Sequence, residues 1–211
     1  MKVLKRGAEA TIYESVFDGQ DVIVKERSAK RYRIPQIDAA LRSNRTRQEI
    51  KLMREARGHG VMTPKIVHSD EALSVITMEK IGGIVMKDFL LRKPVKISVC
   101  RTAGEGIGKM HAAGMVHGDL TTSNMIVRGR DVFFIDFGLG RFSRRVEDMA
   151  TDLGVLREAL VAGNYKTSGR LWSSIVSGYR RSNPRWREVM LRMGKIESRG
   201  RYKSRAPAGR R

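Results

Sequence analysis

Apolar residues in the first part of the chain come in short alternating runs separated by turn residues. Val3 and Leu4 lead into Gly7-Ala8-Glu9-Ala10, then Ile12, Tyr13, Val16 and Phe17 run to Asp18-Gly19, and Val22, Ile23 and Val24 follow. This pattern predicts a three-stranded meander over residues 2–27. A helix is predicted within residues 30–57, begun at Pro35, carrying Leu41, Ile50 and Met53 and closed by Gly58-His59-Gly60. Strands are predicted at 64–67 and 73–78, the second ending in Glu79-Lys80-Ile81-Gly82-Gly83. The chain then turns helical. A short segment follows at 88–91, then a helix capped by Ser98 that runs to His111 with Val99, Ala103, Ile107 and Met110 on one stripe. Gly104, Gly106 and Gly108 weaken that helix and permit close packing. Residues 125–127 and 132–135 read as two strands about the polar turn Arg128-Gly129-Arg130-Asp131. Met149, Leu153, Leu156 and Leu160 predict a further helix, on which a buried Asp152 could accept backbone amides of a neighbouring loop. Helical patterns at 171–179 and 186–193 follow. Residues 195–211 hold seven Lys or Arg (Lys195, Arg199, Arg201, Lys203, Arg205, Arg210 and Arg211) against Glu197 alone, a net charge of +6, and read as a disordered arm.

Candidate chemistry concentrates in residues 117–138, HGDLTTSNMIVRGRDVFFIDFG. Asp119 and Asn124 sit five apart, as in the H-R-D-L-x-x-x-N loop of kinases, and Asp136-Phe137-Gly138 follows the predicted hairpin. Nucleotide-bound magnesium takes few protein ligands, usually one or two carboxylates plus phosphate oxygens. Asn124 adds a neutral oxygen to Asp136 without adding repulsion, and Asp119 can orient a nucleophile. Either triplet alone is a weak signal; HGD, the asparagine and DFG in order make a strong one. Lys25, at the end of an apolar strand, could pair with a nucleotide phosphate or be an ordinary solvated strand-end lysine. Glu49 could reach Lys25 or form a surface pair with Arg45 or Arg54. The turn at Gly7 has one glycine where a phosphate-cradling loop has three. If residues 80–83 form a hinge, Met78 lines an adenine pocket and Glu79 and Ile81 offer backbone groups to the base edge; the alternative is a surface turn. His111 and His117 read as structural, and without a Cys-His cluster zinc is not expected.

Charge adds a partner to this picture. The 211 residues carry 42 Lys+Arg against 22 Asp+Glu, a formal net charge of +20 and a sequence pI near 10.8, which favours a polyanion, nucleic acid first. No run of eighteen apolar residues occurs, and MKVLKRG is too briefly apolar for a signal peptide, so a soluble, cytoplasmic protein is expected. Cys100, the single cysteine, has no partner for an internal disulfide and reads as a buried thiol.

The segments GAEA, VIVKER, KRYRIPQID, HAAGMVHGDLTTSN, IDFGLG and EDMATDLGVL, with the Glu49 helix and the basic end, resemble the small atypical kinases of the KEOPS complex, the bud-site-selection kinases called PRPK in animals. The resemblance covers essentially the whole chain. It implies an α+β, reduced two-lobed protein-kinase-like fold: an N-lobe at 1–79 with an antiparallel sheet and helix, a hinge at 80–83, a small helical C-lobe at 84–194 and a basic tail at 195–211. It implies ATP and Mg2+, or Mn2+, as cofactors, with Asp119 as base, Asn124 and Asp136 on the metal, Lys25 on phosphate and Glu49 orienting Lys25. Gly118 replaces the arginine of H-R-D, Thr121 stands where many Ser/Thr kinases have a lysine, and no A-P-E follows Gly138, so a long substrate-docking segment is missing.

The family implies a Ser/Thr protein kinase and ATPase, with ATP hydrolysis the main activity, supporting formation of N6-threonylcarbamoyladenosine (t6A) in tRNA. Its partners would be the threonylcarbamoyl-transferase subunit of KEOPS, a small regulatory subunit on the N-lobe, and tRNA at the tail. Two other classes compete. A RIO-like kinase or small-molecule phosphotransferase also carries HGD and a downstream Asn, but RIO proteins have an additional N-terminal domain, which this chain is expected to lack. An idle RNA-binding scaffold would tolerate loss of Asp119 or Asp136, and both are present.

Overall fold

Asp18 and Gly19 take φ values of 49° and 73°, the left-handed pair that a tight primed hairpin turn requires. They close β2 (Ala10–Phe17) on β3 (Gln20–Arg27), with Phe17 opposite Gln20. The computed structural model describes residues 1–92, 97–163 and 166–203. With β1 (Lys2–Arg6), β4 (Ile66–Asp70) and β5 (Val75–Glu79), this hairpin builds a five-stranded antiparallel sheet in the order β1-β2-β3-β5-β4. One helix covers it, α1 (Pro35–Gly58), which starts with proline in its first turn, where no amide partner is lost. Ile50, Leu52, Met53 and Ala56 form its buried face.

The C-terminal part is mainly helical. After β6 (Ile84–Val85) come α2 (Met86–Leu91), α3 (Ile97–Ala112) and β7 (Met115–Val116). The hairpin of β8 (Met125–Arg128) and β9 (Asp131–Phe134) pairs with β6, and β10 (Arg141–Phe142) pairs with β7. Helices α4 (Val146–Ala162), α5 (Ser168–Ser182) and α6 (Trp186–Lys203) complete it. The antiparallel N-terminal sheet and the helical C-terminal part make the α+β, kinase-like architecture. Among the described residues no helix is long and apolar enough to cross a membrane.

The α3–α5 seam uses the glycines. A Cβ on Gly104 would lie 1.9 Å from the Ile175 carbonyl oxygen, and one on Gly178 would lie 2.0 Å from that of Arg101, so the two backbones touch only because both side chains are absent. The hydroxyls of Ser174 and Ser182 donate to the Ile97 and Glu105 carbonyls across the same seam, at 3.0 and 2.9 Å. Gly106 faces elsewhere, against the Phe134 ring.

Two expectations need correction. Ile97 is already helical, so Ser98 lies inside the first turn of α3 and does not cap it. The arm expected to be disordered from Lys195 is helical through Lys203, because Val189 and Met193 are buried in the core, Ile196 packs against it and Glu197 pairs with Arg157 of α4 at 2.5 Å. Residues 204–211 of that arm lie outside the described residues.

Replacing Gly178 by alanine should destabilise the fold by about 1–3 kcal/mol through overpacking. Gly194, on α6 with nothing within 4 Å of its Cβ position, should gain stability from the same change. Urea unfolding of the two variants checks the contrast; equal midpoints would mean that α3 and α5 do not meet at Gly178.

Candidate active site

Side chains alternate across a strand, so Lys25 and Arg27, two apart on β3, share one face. Glu49 comes to that face from the buried side of α1. Its Oε1 accepts from Lys25 Nζ at 2.7 Å and its Oε2 from Arg27 Nη2 at 2.6 Å, with all three residues at most 5% exposed. The surface alternatives for Glu49 do not form, since Arg45 pairs with Glu9. Lys25 Nζ also donates to Asp136 Oδ1 at 2.6 Å. Two cations and two carboxylates thus compensate one another where sheet, helix and the Asp136 segment converge. Burial would push the Asp136 carboxyl up, but the charge and hydrogen bond of Lys25 outweigh it and hold the carboxyl below its ordinary range. Asp136 sits at a φ of 64°, a conformation that aspartate tolerates better than most residues and that is concentrated at functional sites.

The loop after β7 is held from below by Asp152 of α4. Its two oxygens accept the His117 amide at 2.6 Å and the Gly118 amide at 2.9 Å. With its proton on Nε2, His111 donates to Asp152 at 3.3 Å and accepts at Nδ1 from the Tyr179 hydroxyl, which in turn accepts from Asn183 Nδ2 at 2.6 Å. Burial would raise the Asp152 carboxyl, yet the His111 hydrogen bond, the nearby imidazoles and the His117 amide keep it low. His117 is buried, which lowers its imidazole despite the surrounding carboxylates. As a neutral ring it donates from Nε2 to the Ile135 carbonyl at 3.1 Å and packs on Phe137, with ring centres 4.7 Å apart. Gly118 has a φ of 80°, and a Cβ there would lie 2.1 Å from the Leu139 carbonyl oxygen; the arginine of H-R-D does not fit this backbone.

Asn124 ends a 3-10 turn, Thr122–Asn124. Its Nδ2 donates to the backbone oxygen and to Oδ2 of Asp119, both at 2.8 Å, which orients the Asp119 carboxylate. The Asn124 backbone oxygen accepts the Ile135 amide at 3.0 Å, so the loop and the residue before Asp136 are tied together.

Two cavities meet here. One, of about 440 Å3, lies between the sheet and the helical part and is lined by Met78, Glu79, Ile81, Lys25, Asn124 and Asp136 among others. The second, of about 230 Å3, lies under the turn after β1 and is lined by Gly7, Lys25, Arg27, Asp119, Asp136 and Gly138. Lys25 and Asp136 border both. The structure therefore gathers all nine predicted cleft residues, Gly7, Lys25, Glu49, Met78, Glu79, Ile81, Asp119, Asn124 and Asp136, around two adjacent cavities that share Lys25 and Asp136. The Gly7 amide itself is engaged with the Ala10 carbonyl at 2.9 Å. An ionised carboxylate and an amide side chain on the same space, Asp136 and Asn124, are donors that suit a hard divalent cation. Of the tail cations, Lys195, Arg199, Arg201 and Lys203 ride on α6, while Arg205, Arg210 and Arg211 lie outside the described residues.

Sequence reasoning missed Arg27. Its signal was the K-x-R spacing in VIVKER, which puts two cations on one strand face. Its Nε is buried without a partner, an omission that costs about 1–3 kcal/mol.

Comparison with known proteins agrees with this architecture. Residues 12–139 match the RIO domain. The chain is 44% identical over 216 residues to KEOPS complex subunit Bud32 of Pyrococcus abyssi, covering 98% of both chains. It is also 44% identical over 200 residues to a protein of Methanothermobacter thermautotrophicus named probable bifunctional tRNA threonylcarbamoyladenosine biosynthesis protein; the match spans 95% of this chain and 36% of that relative's length. A solved structure of WaaP in complex with acyl carrier protein shares the fold, with a TM-score of 0.64 and 19% identity over 96% of this chain and 86% of that one.

Because the folded-state carboxyl of Asp152 titrates below the ordinary value of 3.8, its stabilisation is complete above that value and is lost as pH falls through the depressed one. Asp152→Asn should cost at least about 2 kcal/mol at neutral pH and make the acid loss of stability shallower than in wild type. Urea unfolding across a pH series checks it; parallel acid limbs would assign the acid sensitivity to other groups.

Proposed function

The chain carries a RIO domain and belongs to the family of KEOPS complex subunit Bud32, and on that premise we propose that it is a kinase-fold ATPase that binds and hydrolyses magnesium-ATP in support of t6A formation in tRNA. The observation that carries this reading is the convergence of Lys25, Glu49 and Asp136 with the Asn124-oriented Asp119 on one cleft. The adenine would sit against Met78, with the backbone of Glu79 and Ile81 at its edge, and the phosphates would extend under the Gly7 turn. Lys25, fixed by Glu49, exchanges Asp136 for a phosphate oxygen. Asn124 and Asp136 would hold the metal ion, which when bound neutralises phosphate charge. Asp119 orients the attacking water or hydroxyl. The short segment between Gly138 and α4 leaves little surface for docking a peptide, which favours water as the acceptor. Phosphorylation of a serine or threonine hydroxyl is the second reading, favoured by the RIO-domain match.

For partners, we infer the threonylcarbamoyl-transferase subunit, a small regulatory subunit on the N-lobe and tRNA, with a cytoplasmic location. A relative named bifunctional contains a segment similar to this chain in 36% of its length, which supports lasting association with the activity that fills the remainder. The net charge of +20 and the basic end of α6 support tRNA, whose phosphates release counterions on binding.

Turnover of labelled ATP, followed as free phosphate and as protein-bound phosphate, tests the activity and separates the two readings. Asp136→Ala should lose magnesium-nucleotide binding, whereas Asp119→Asn should keep nucleotide affinity and lose turnover by about 100-fold or more. Wild-type turnover in Asp119→Asn would remove the base from the scheme.

Exchanging Lys195, Arg199, Arg201 and Lys203 for glutamine should weaken tRNA binding and flatten its salt dependence, by a log-log slope of about 0.7–0.9 for each phosphate that is no longer neutralised. Basal ATP hydrolysis should stay unchanged. Filter binding across a salt series checks it, and an unchanged slope would place tRNA on another surface.

A further inference from the structure

We propose that Arg27 is the residue that reads the terminal phosphate of a nucleoside triphosphate, a reading that rests on the nucleotide site proposed above. The order of groups along the cleft carries it. Met78 and Ile81 border only the larger cavity, Lys25 and Asp136 border both, and Arg27 borders only the smaller one, beside Asp119 and Gly138. A nucleotide whose base lies against Met78 and whose middle phosphates meet Lys25 brings its last phosphate to Arg27.

The hydrogen bonding of the guanidinium fits that task. Arg27 is 4% exposed. Its Nη2 holds Glu49 Oε2 at 2.6 Å, and its Nε is a buried donor without a partner. Glu49 takes up one amino group, the buried Nε has no acceptor within the protein, and the residue lines the smaller cavity, so a phosphate there would meet a guanidinium whose hydrogen bonding is incomplete. Arginine stays charged at any working pH and presents a planar fork that matches phosphate.

Charge balance points the same way. The smaller cavity is lined by Glu9, Asp119 and Asp136 against Lys5, Lys25 and Arg27. With Lys25 on the phosphates nearer the base and Lys5 exposed, Arg27 is the buried cation left for an anion at the far end. Gly138 keeps the approach clear, because a Cβ at that position would lie 3.2 Å from Arg27 Nη2 and 3.5 Å from Lys25 Nζ. The same Glu49 carboxylate thus serves two cations with two duties, Lys25 for the phosphates common to ADP and ATP and Arg27 for the one that distinguishes them.

Calorimetric titration of the full chain with magnesium-ADP and with a magnesium complex of a non-hydrolysable ATP analogue tests this in wild type, Arg27→Gln and Glu49→Gln. Arg27→Gln should lose triphosphate affinity by about tenfold or more, the scale of one charge-assisted hydrogen bond, while ADP affinity stays within about twofold. Glu49→Gln, which loosens Lys25 as well, should weaken both. If Arg27→Gln weakens both nucleotides alike, or neither, Arg27 acts only as a counter-ion and the proposal is overturned. A wild type that binds neither nucleotide overturns the nucleotide site itself, and this inference with it. Thermal unfolding of the ligand-free variants controls for folding. Where Arg27→Gln does not fold, Arg27→Lys, which keeps a charge for Glu49 but has no Nε, decides by the same ratio, and a wild-type preference for triphosphate would overturn the assignment.

Discussion

A single buried carboxylate holds the cleft together. Glu49 is 1% exposed and has a cation on each oxygen; removing one partner from such a buried arrangement generally costs about 3–5 kcal/mol, because the other charge is left uncompensated. Both cations come from one strand, so the ion group fixes how α1 lies on the sheet. Lys25 then extends the arrangement to Asp136, in the helical part of the molecule. The two halves are therefore registered by electrostatics at the point where the cleft narrows, while the apolar groups Met78, Ile81 and Ile126 line its wider end.

Below the cleft the positioning problem is different, since a loop backbone must be held without a strand partner. Asp152 does this by accepting two consecutive amides, and its own charge is countered by hydrogen bonding through His111 to Tyr179 and Asn183. The loop that carries Asp119 is thereby fixed from its N-terminal side by α4 and from its C-terminal side by the Asn124 side chain. The glycine seam between α3 and α5 keeps this network short, because His111 and Tyr179 meet only where those helices lie close together.

Features set by neighbours in sequence were legible before the structure was known. The Asp18-Gly19 hairpin, the helix opening at Pro35 and the strand pair before Asp136 follow from turn chemistry and apolar periodicity; Asp152, an acid on an apolar stripe, was expected to be buried and to accept loop amides, which it does 34 and 35 residues away. Asp119, Asn124 and Asp136 could be named because kinase-like spacing between 117 and 138 is local, whereas Gly7, Lys25, Glu49, Met78, Glu79 and Ile81 drew on strand, turn and hinge patterns and on the family resemblance. What could not be read depends on encounters between distant segments. Arg27 looked like one more cation in a chain of 42 Lys+Arg until α1 brought Glu49 to it. Asp136 has a left-handed backbone that its letter does not announce. The basic stretch after Gly194 has a composition typical of disorder, and its first half is helical because a few apolar positions, Met193 and Ile196 among them, find α4.

That last feature has a mechanical side. Helix α6 is 18 residues long, about 27 Å at 1.5 Å per residue, and four of its six basic residues, Lys195, Arg199, Arg201 and Lys203, lie in its last nine positions. Its near end starts at Asn183, whose Oδ1 accepts the Arg185 amide while its Nδ2 donates to Tyr179. Along its length Arg192 pairs with Glu147, and Val189 and Met193 share the core with Leu153 and Leu156. Helices α4 and α6 are thus braced against each other, with Asp152 on the inner member. The described contacts of α6 lead, through α4 and Asp152, to the two amides beside Asp119.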